Sequence, residues 1–129
     1  MLVVLLCLCF SSVTICSAAD KKQLAAALAA VDANLATSAG KEYDELIGKE
    51  FPDKYSPSVR QCKQSLPAGA AIDPFDMFLK LNAQGKVQEI LVYPETQLSG
   101  CIRAALLAGK FSSPPHGDYW INIHLQLKR

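Results

Sequence analysis

The hydrophobic positions of this chain change period near residue 75. Phe75, Met77, Leu79 and Leu81 point one way while Asp76, Phe78, Lys80 and Asn82 point the other, the alternation of a half-buried strand. Ala83, Gln84 and Gly85 supply a short hairpin loop, with glycine for the left-handed position. Residues 86–93 (KVQEILVY) return as a second strand. Their alternation breaks, Val87, Leu91 and Tyr93 taking one phase and Ile90 and Val92 the other, which predicts a bulge or burial on both faces. Pro94 ends that strand, and Thr96 or Ser99 can cap a helix running to about Ala108. Leu98, Cys101, Ile102, Ala105 and Leu106 form its apolar stripe, expected to lie on the sheet. After the crossing FSSPPHG, Tyr119, Ile121, Ile123, Leu125 and Leu127 alternate strictly with Trp120, Asn122, His124, Gln126 and Lys128, so a strand of nine or ten residues is expected.

Before residue 75 the period is helical. Residues 20–39 are rich in alanine and leucine, without proline or glycine, and Asp20 is a candidate N-cap. Leu24, Leu28, Val31 and Leu35 fall on one stripe, suited to packing on the domain or to a short partner seam. Gly40 is expected to end this helix. A second short helix then carries Tyr43, Leu46 and Ile47, Pro52 and Pro57 bound a turn, and residues 58–66 form one or two helical turns presenting Val59, Cys62 and Leu66 together.

Charge places a boundary at residue 20. Lysine plus arginine number 13 against 12 acids, and all of them lie at or after Asp20. With so little net charge, no field steers the protein to nucleic acid, anionic lipid or a strongly charged substrate. Residues 2–10 (LVVLLCLCF) form a short apolar run, followed by a more polar segment with small residues at Ser17 and Ala19. This pattern predicts a signal peptide over residues 1–19, cleaved near Ala18 or Ala19, because the run falls short of the roughly 20 residues a spanning helix needs. The mature protein is therefore expected to be periplasmic or secreted, with no membrane span after cleavage.

Cysteine arithmetic agrees with export. Cys7, Cys9 and Cys16 leave with the signal, so Cys62 and Cys101 remain as an even pair and the natural disulfide, two buried thiols being the alternative. The bond would close a loop of about 39 residues and contribute about 4 kcal/mol in the chain-entropy model.

The order Gly85-Lys86-Val87, strand into Pro94, helix from Leu98 to Leu107, Phe111 with Pro114-Pro115, then Gly117 and a last strand resembles the C-terminal domain of TonB-type energy transducers and their relatives. The resemblance covers about 50 residues. It implies a small α+β domain in which a helix packs on a three-stranded antiparallel sheet (β-β-α-β), often with an edge that pairs with a partner strand. The long charged, proline-rich spacer of a transducer has no counterpart here, so only fold and binding style are carried over. The expected organisation is a helical segment over residues 20–70 packing on a TonB-like domain over residues 71–129.

Catalytic and metal signals are weak. His116 and His124, even with Cys62 and Cys101, match no ordinary zinc spacing, and the sulfurs are better used with each other. His116 beside Asp118 has no nucleophile with a recognisable local signature, and Gly40-Lys41 and Gly48-Lys49 lack the rest of a phosphate loop. No catalytic residue, metal or cofactor is expected. Recognition is the better expectation, through Phe78, Trp120, Asn122 and His124 on the phase opposite the core. Either the N-terminal helix covers the aromatic pair, or Phe78 and Trp120 form a docking face, while the last strand offers its edge. The expected partner is another envelope or secreted protein. The alternative function is carriage of a small apolar ligand between the N-terminal helix and the sheet.

Overall fold

The computed structural model describes residues 17–128, so the apolar run, the expected signal peptide up to residue 16, and Cys7, Cys9 and Cys16 lie outside the described residues. The elements run α1 (Ser17–Leu35), α2 (Ser38–Gln64), β1 (Phe75–Leu81), β2 (Val87–Tyr93), α3 (Gln97–Leu106) and β3 (Tyr119–Leu125). The fold is α+β, with an antiparallel sheet of order β2-β1-β3. Among the described residues no helix is long and apolar enough to cross a membrane.

The alternation read in the sequence sets the layers. Phe75, Met77, Leu79 and Leu81 of β1 and Tyr119, Ile121 and Ile123 of β3 are buried on one face against α2 and α3. The irregularity in β2 is a bulge at Gln88: Lys80 pairs with Glu89, while the next residue, Leu81, pairs with Val87. That extra residue resets the phase, so Val87, Ile90 and Val92 all reach the core. Gly85 turns the hairpin at φ +85°, and Asn82 Oδ1 accepts from the amides of Gln84 and Lys86. The last strand is shorter than expected. It ends at Leu125, and the Lys128 carbonyl accepts from Lys63 of α2 instead of extending the sheet.

The helical half departs most from expectation. α1 stops at Leu35 rather than at Gly40, because Thr37 caps α2 by accepting from the Gly40 amide at 3.0 Å and donates to the Asn34 carbonyl at 2.9 Å. Gly40 sits in the first turn of α2, where a β-carbon would stand 1.8 Å from the Asn34 carbonyl oxygen. Asp20 lies within α1, which begins at Ser17, rather than at its start. The second and third helical pieces are one helix of 27 residues that passes through Pro52 and Pro57. Each interior proline costs about 3 kcal/mol. One face of α2, carrying Tyr43, Ile47, Phe51, Val59 and Cys62, is buried along the helix on both sides of the prolines, and this burial outweighs the cost. Leu46, expected inward, is exposed.

Thr96 and Ser99 both cap α3, as a reciprocal box in which the Thr96 hydroxyl accepts from the Ser99 amide and the Ser99 hydroxyl from the Thr96 amide. Leu98, Ile102 and Leu106 are buried beneath it, whereas Ala105 faces solvent. Cys62 and Cys101 are bonded, with Cα atoms 5.7 Å apart, tying the last turn of α2 to α3.

Candidate functional site

Phe78 and Trp120 meet on the sheet face opposite the core, and α1 lies over them. Phe78 is 7% exposed and packs with Ala27 and Val31, while Leu24, Leu35, Leu91 and Trp120 are half-buried around it. Ala27, not Leu28, supplies the inward position, because a methyl group lets the helix close on the Phe78 ring. Asn34 donates from its side chain to the Trp120 carbonyl at 3.0 Å and fixes α1 to β3. The space left beside Trp120 is about 10 Å³, at most a single water. Of the two arrangements that the aromatic positions allowed, α1 therefore covers Phe78, and no enclosed ligand space remains between α1 and the sheet at this end.

Asn122 and His124 point out of β3 on the same phase as Trp120. Asn122 is half-buried and His124 exposed, with its Nδ1 3.0 Å from Oδ1 of its cross-strand partner Asp76. Among the described residues β3 pairs only with β1 and forms one side of the sheet. A cleft of about 230 Å³ runs along it, lined by the consecutive residues Asn122–Leu125 and by Asp44, Ile47, Gly48 and Phe51 of α2. Side chains alternate between faces along a strand, so four successive residues can share one cleft only along the main-chain edge. The corresponding start of β2 is occupied: Val87 donates to the Gly109 carbonyl and Phe111 to that of Gly85.

The sheet face left bare lies beside α1, toward β2. An apolar depression of about 330 Å³ is lined by Leu24, Ala25, Leu28, Phe78 and Tyr93, with Lys21 and Asp76 at its rim. It adjoins a second cleft of about 430 Å³ that shares Lys21, Leu24 and Tyr93 and continues past Leu91 and Pro94 to Glu95 and Arg103. Tyr93 is 63% and Leu28 48% exposed. No sequence signal separated these two from core positions, since both fit an apolar stripe.

A polar cluster between α2 and the crossing loop is absent from the sequence reading. Glu50 accepts from the Ser112 amide at 2.9 Å, the Ser112 hydroxyl at 2.7 Å and Lys54 at 2.6 Å, while Tyr43 donates to the Ser112 carbonyl at 2.7 Å. Burial works to raise the Glu50 carboxyl, but the hydrogen bonds from Lys54 and Ser112 outweigh it and hold the group below its ordinary value. Burial, reinforced by Glu50 and Tyr119, pushes the Tyr43 phenol far up, so it stays a donor. These groups satisfy one another and hold the loop. The sequence signal that could have found them is Ser112 itself, a polar residue directly after the buried Phe111.

His116 sets its Nδ1 2.7 Å from the Gly117 carbonyl and its ring edge against Tyr119, while Asp118 turns toward Lys80 at 4.0 Å. The two neighbours thus engage different partners. Among the described residues no group of three or more His, Cys, Asp or Glu side chains is placed to hold a metal ion. No protein-family model matches the chain, and neither curated proteins nor solved structures give a match.

Proposed function

We propose that this chain is a non-enzymatic binding or support domain of an exported or envelope protein, and that it recognises an extended segment of another protein along the free edge of β3. The observation that carries this reading is the cleft in which Asn122–Leu125 present main chain beside α2. With Phe78 under α1, the aromatic face is not offered, and the edge is left as the recognition surface. Export is supported by the apolar run of residues 2–10 and by the Cys62–Cys101 bond, which persists in an oxidising compartment. A relationship to TonB C-terminal domains is proposed on the order of elements alone. The alternative, carriage of a small apolar ligand, is favoured by the open depression beside α1 rather than by any space beneath it.

A photo-activated cross-linker at position 124 tests the edge reading, with one at the exposed position 46 on α2 as the control. In the native envelope fraction, position 124 captures a discrete partner through an extended segment and position 46 does not. Equal capture from both positions, or none from 124, contradicts it.

A further inference from the structure

We propose that a second copy of this chain pairs with the first through the outer edge of β2, the strands antiparallel about Leu91, so that the sheets of both copies join into one. The inference does not rest on recognition at the β3 edge and uses none of that edge's residues.

The main chain sets the register. Lys80 directs its hydrogen bonds to β2 rather than to β3, because the carbonyl of its β3 neighbour Trp120 turns outward to Asn34. Bonding direction alternates along a strand, so Glu89, Leu91 and Tyr93 bond inward to β1 while Ile90 and Val92 turn their N–H and C=O groups outward. The cleft of about 430 Å³ beside β2 is lined by the successive residues 90–94, which leaves this part of the edge open. The start of the strand is closed by the bond from Val87 to the Gly109 carbonyl. In an antiparallel pair centred on Leu91, Ile90 of each copy lies opposite Val92 of the other, and their outward groups satisfy one another. Slipping the register by two residues one way sets Val92 against Gln88 in the bulge. Slipping it the other way sets Ile90 against Pro94, which has no N–H to give.

Side chains select a second copy over an unrelated strand. Glu89, Leu91 and Tyr93 share one face of the sheet, and in this register Tyr93 of each copy stands beside Glu89 of the other. Lys21 of α1 lines the same cleft as Tyr93, so its ammonium is placed to meet the other copy's Glu89. Neither group has an ion pair within the chain among the described residues, because Lys80, across the ladder from Glu89, turns to Asp118 at 4.0 Å. Symmetry repeats the match at the other end of the pair. From Ile90 to Tyr93 the strand also carries no charge or proline of the kind that protects an unpaired edge. Pairing about a two-fold axis closes on itself and leaves a β3 edge at each end of the joined sheet.

Sedimentation velocity of the full chain over a wide range of concentration, with amide exchange read by NMR on the same samples, tests the pairing. The expected result is a rise to twice the monomer mass, with the Ile90 and Val92 amides gaining protection as it occurs and those of Asn122 and His124 unchanged. Lys21→Glu and Glu89→Lys each weaken dimerisation by about fivefold or more, and the double exchange recovers it to within about twofold. An unchanged Trp120 emission verifies that each variant is folded. A monomer at every concentration overturns the proposal. So does association that leaves Ile90 and Val92 unprotected, whether through β3 or through residues 2–10. Indifference to the single charge reversals, no recovery in the double variant, or protection of Ile90 and Val92 only when another protein is added overturns it as well.

Discussion

The Asn34 side chain donates to the Trp120 carbonyl at 3.0 Å, joining the last turn of α1 to the edge strand β3. This one bond takes a main-chain acceptor from β3 and holds α1 over Phe78. It also confines the open part of the edge to the residues after it, where the cleft against α2 begins at Asn122.

Asn34→Ala should therefore lower stability by about 1 kcal/mol, the net value of one such bond. Urea unfolding with an unchanged slope measures it. Trp120 emission should shift to the red, since α1 loses its anchor beside the indole. An unshifted emission with full stability contradicts the role assigned to Asn34.

Gly40 and Gly48 lie in the same helix and should respond oppositely to alanine. A β-carbon at Gly40 meets the Asn34 carbonyl oxygen at 1.8 Å, a main-chain atom that cannot yield, whereas one at Gly48 meets nothing within 4 Å. Gly40→Ala is expected to destabilise by about 1 to 3 kcal/mol. Gly48→Ala should stabilise by about 0.5 to 1 kcal/mol through helix propensity. Thermal unfolding of the two variants side by side checks the contrast.

The Cys62–Cys101 bond spans 39 residues and should contribute about 4 kcal/mol by restricting the unfolded chain. Reductant should lower the urea midpoint of the wild-type protein and leave a Cys62→Ala/Cys101→Ala double variant unmoved. A wild-type midpoint indifferent to reductant would contradict the bridge.

Acid should loosen the crossing loop through Glu50. Its carboxyl lies below the ordinary value of 4.5 in the folded chain, so beneath that pH the folded state holds fewer protons than the unfolded state. The stabilisation is present above the unfolded pKa and is lost as pH falls through the folded one. Glu50→Gln should be less stable than wild type by about 1 kcal/mol at neutral pH, where the charged hydrogen bonds to Lys54 and Ser112 are made. The gap should narrow progressively as pH falls below the ordinary carboxyl value of 4.5. Urea unfolding at neutral and at acid pH reads it, and a constant gap contradicts the assignment.

The sheet was legible because a period of two is unambiguous when apolar residues alternate over seven positions, as in Phe75–Leu81 and Tyr119–Leu125. The hairpin at Gly85 was legible because glycine suits its left-handed turn, and the Cys62–Cys101 pair because these are the two cysteines after the expected signal segment. The course of α2 was not. Pro52 and Pro57 are local stop signals, and only the buried face running from Tyr43 to Cys62 shows that tertiary packing overrides them. Likewise a stripe of Leu24, Leu28, Val31 and Leu35 cannot reveal that Ala27 faces inward and Leu28 outward, because that choice depends on the volume of Phe78 across the interface. Of the candidate site, the shared phase of Phe78, Trp120, Asn122 and His124 was readable from alternation. The depression beside α1 was not, because it depends on where the helix crosses the sheet.

That α1 closes the aromatic face and leaves recognition to the strand edge is tested most directly by acrylamide quenching of Trp120, the single tryptophan of the chain. In the native protein its quenching should be well below that of the urea-unfolded chain, and Val31→Asp, which drives a charge into the α1 contact with Phe78, should raise it toward the unfolded value. Native quenching equal to that of the unfolded chain, or unaffected by Val31→Asp, would mean that α1 does not cover this face, and the edge would lose its place as the recognition surface.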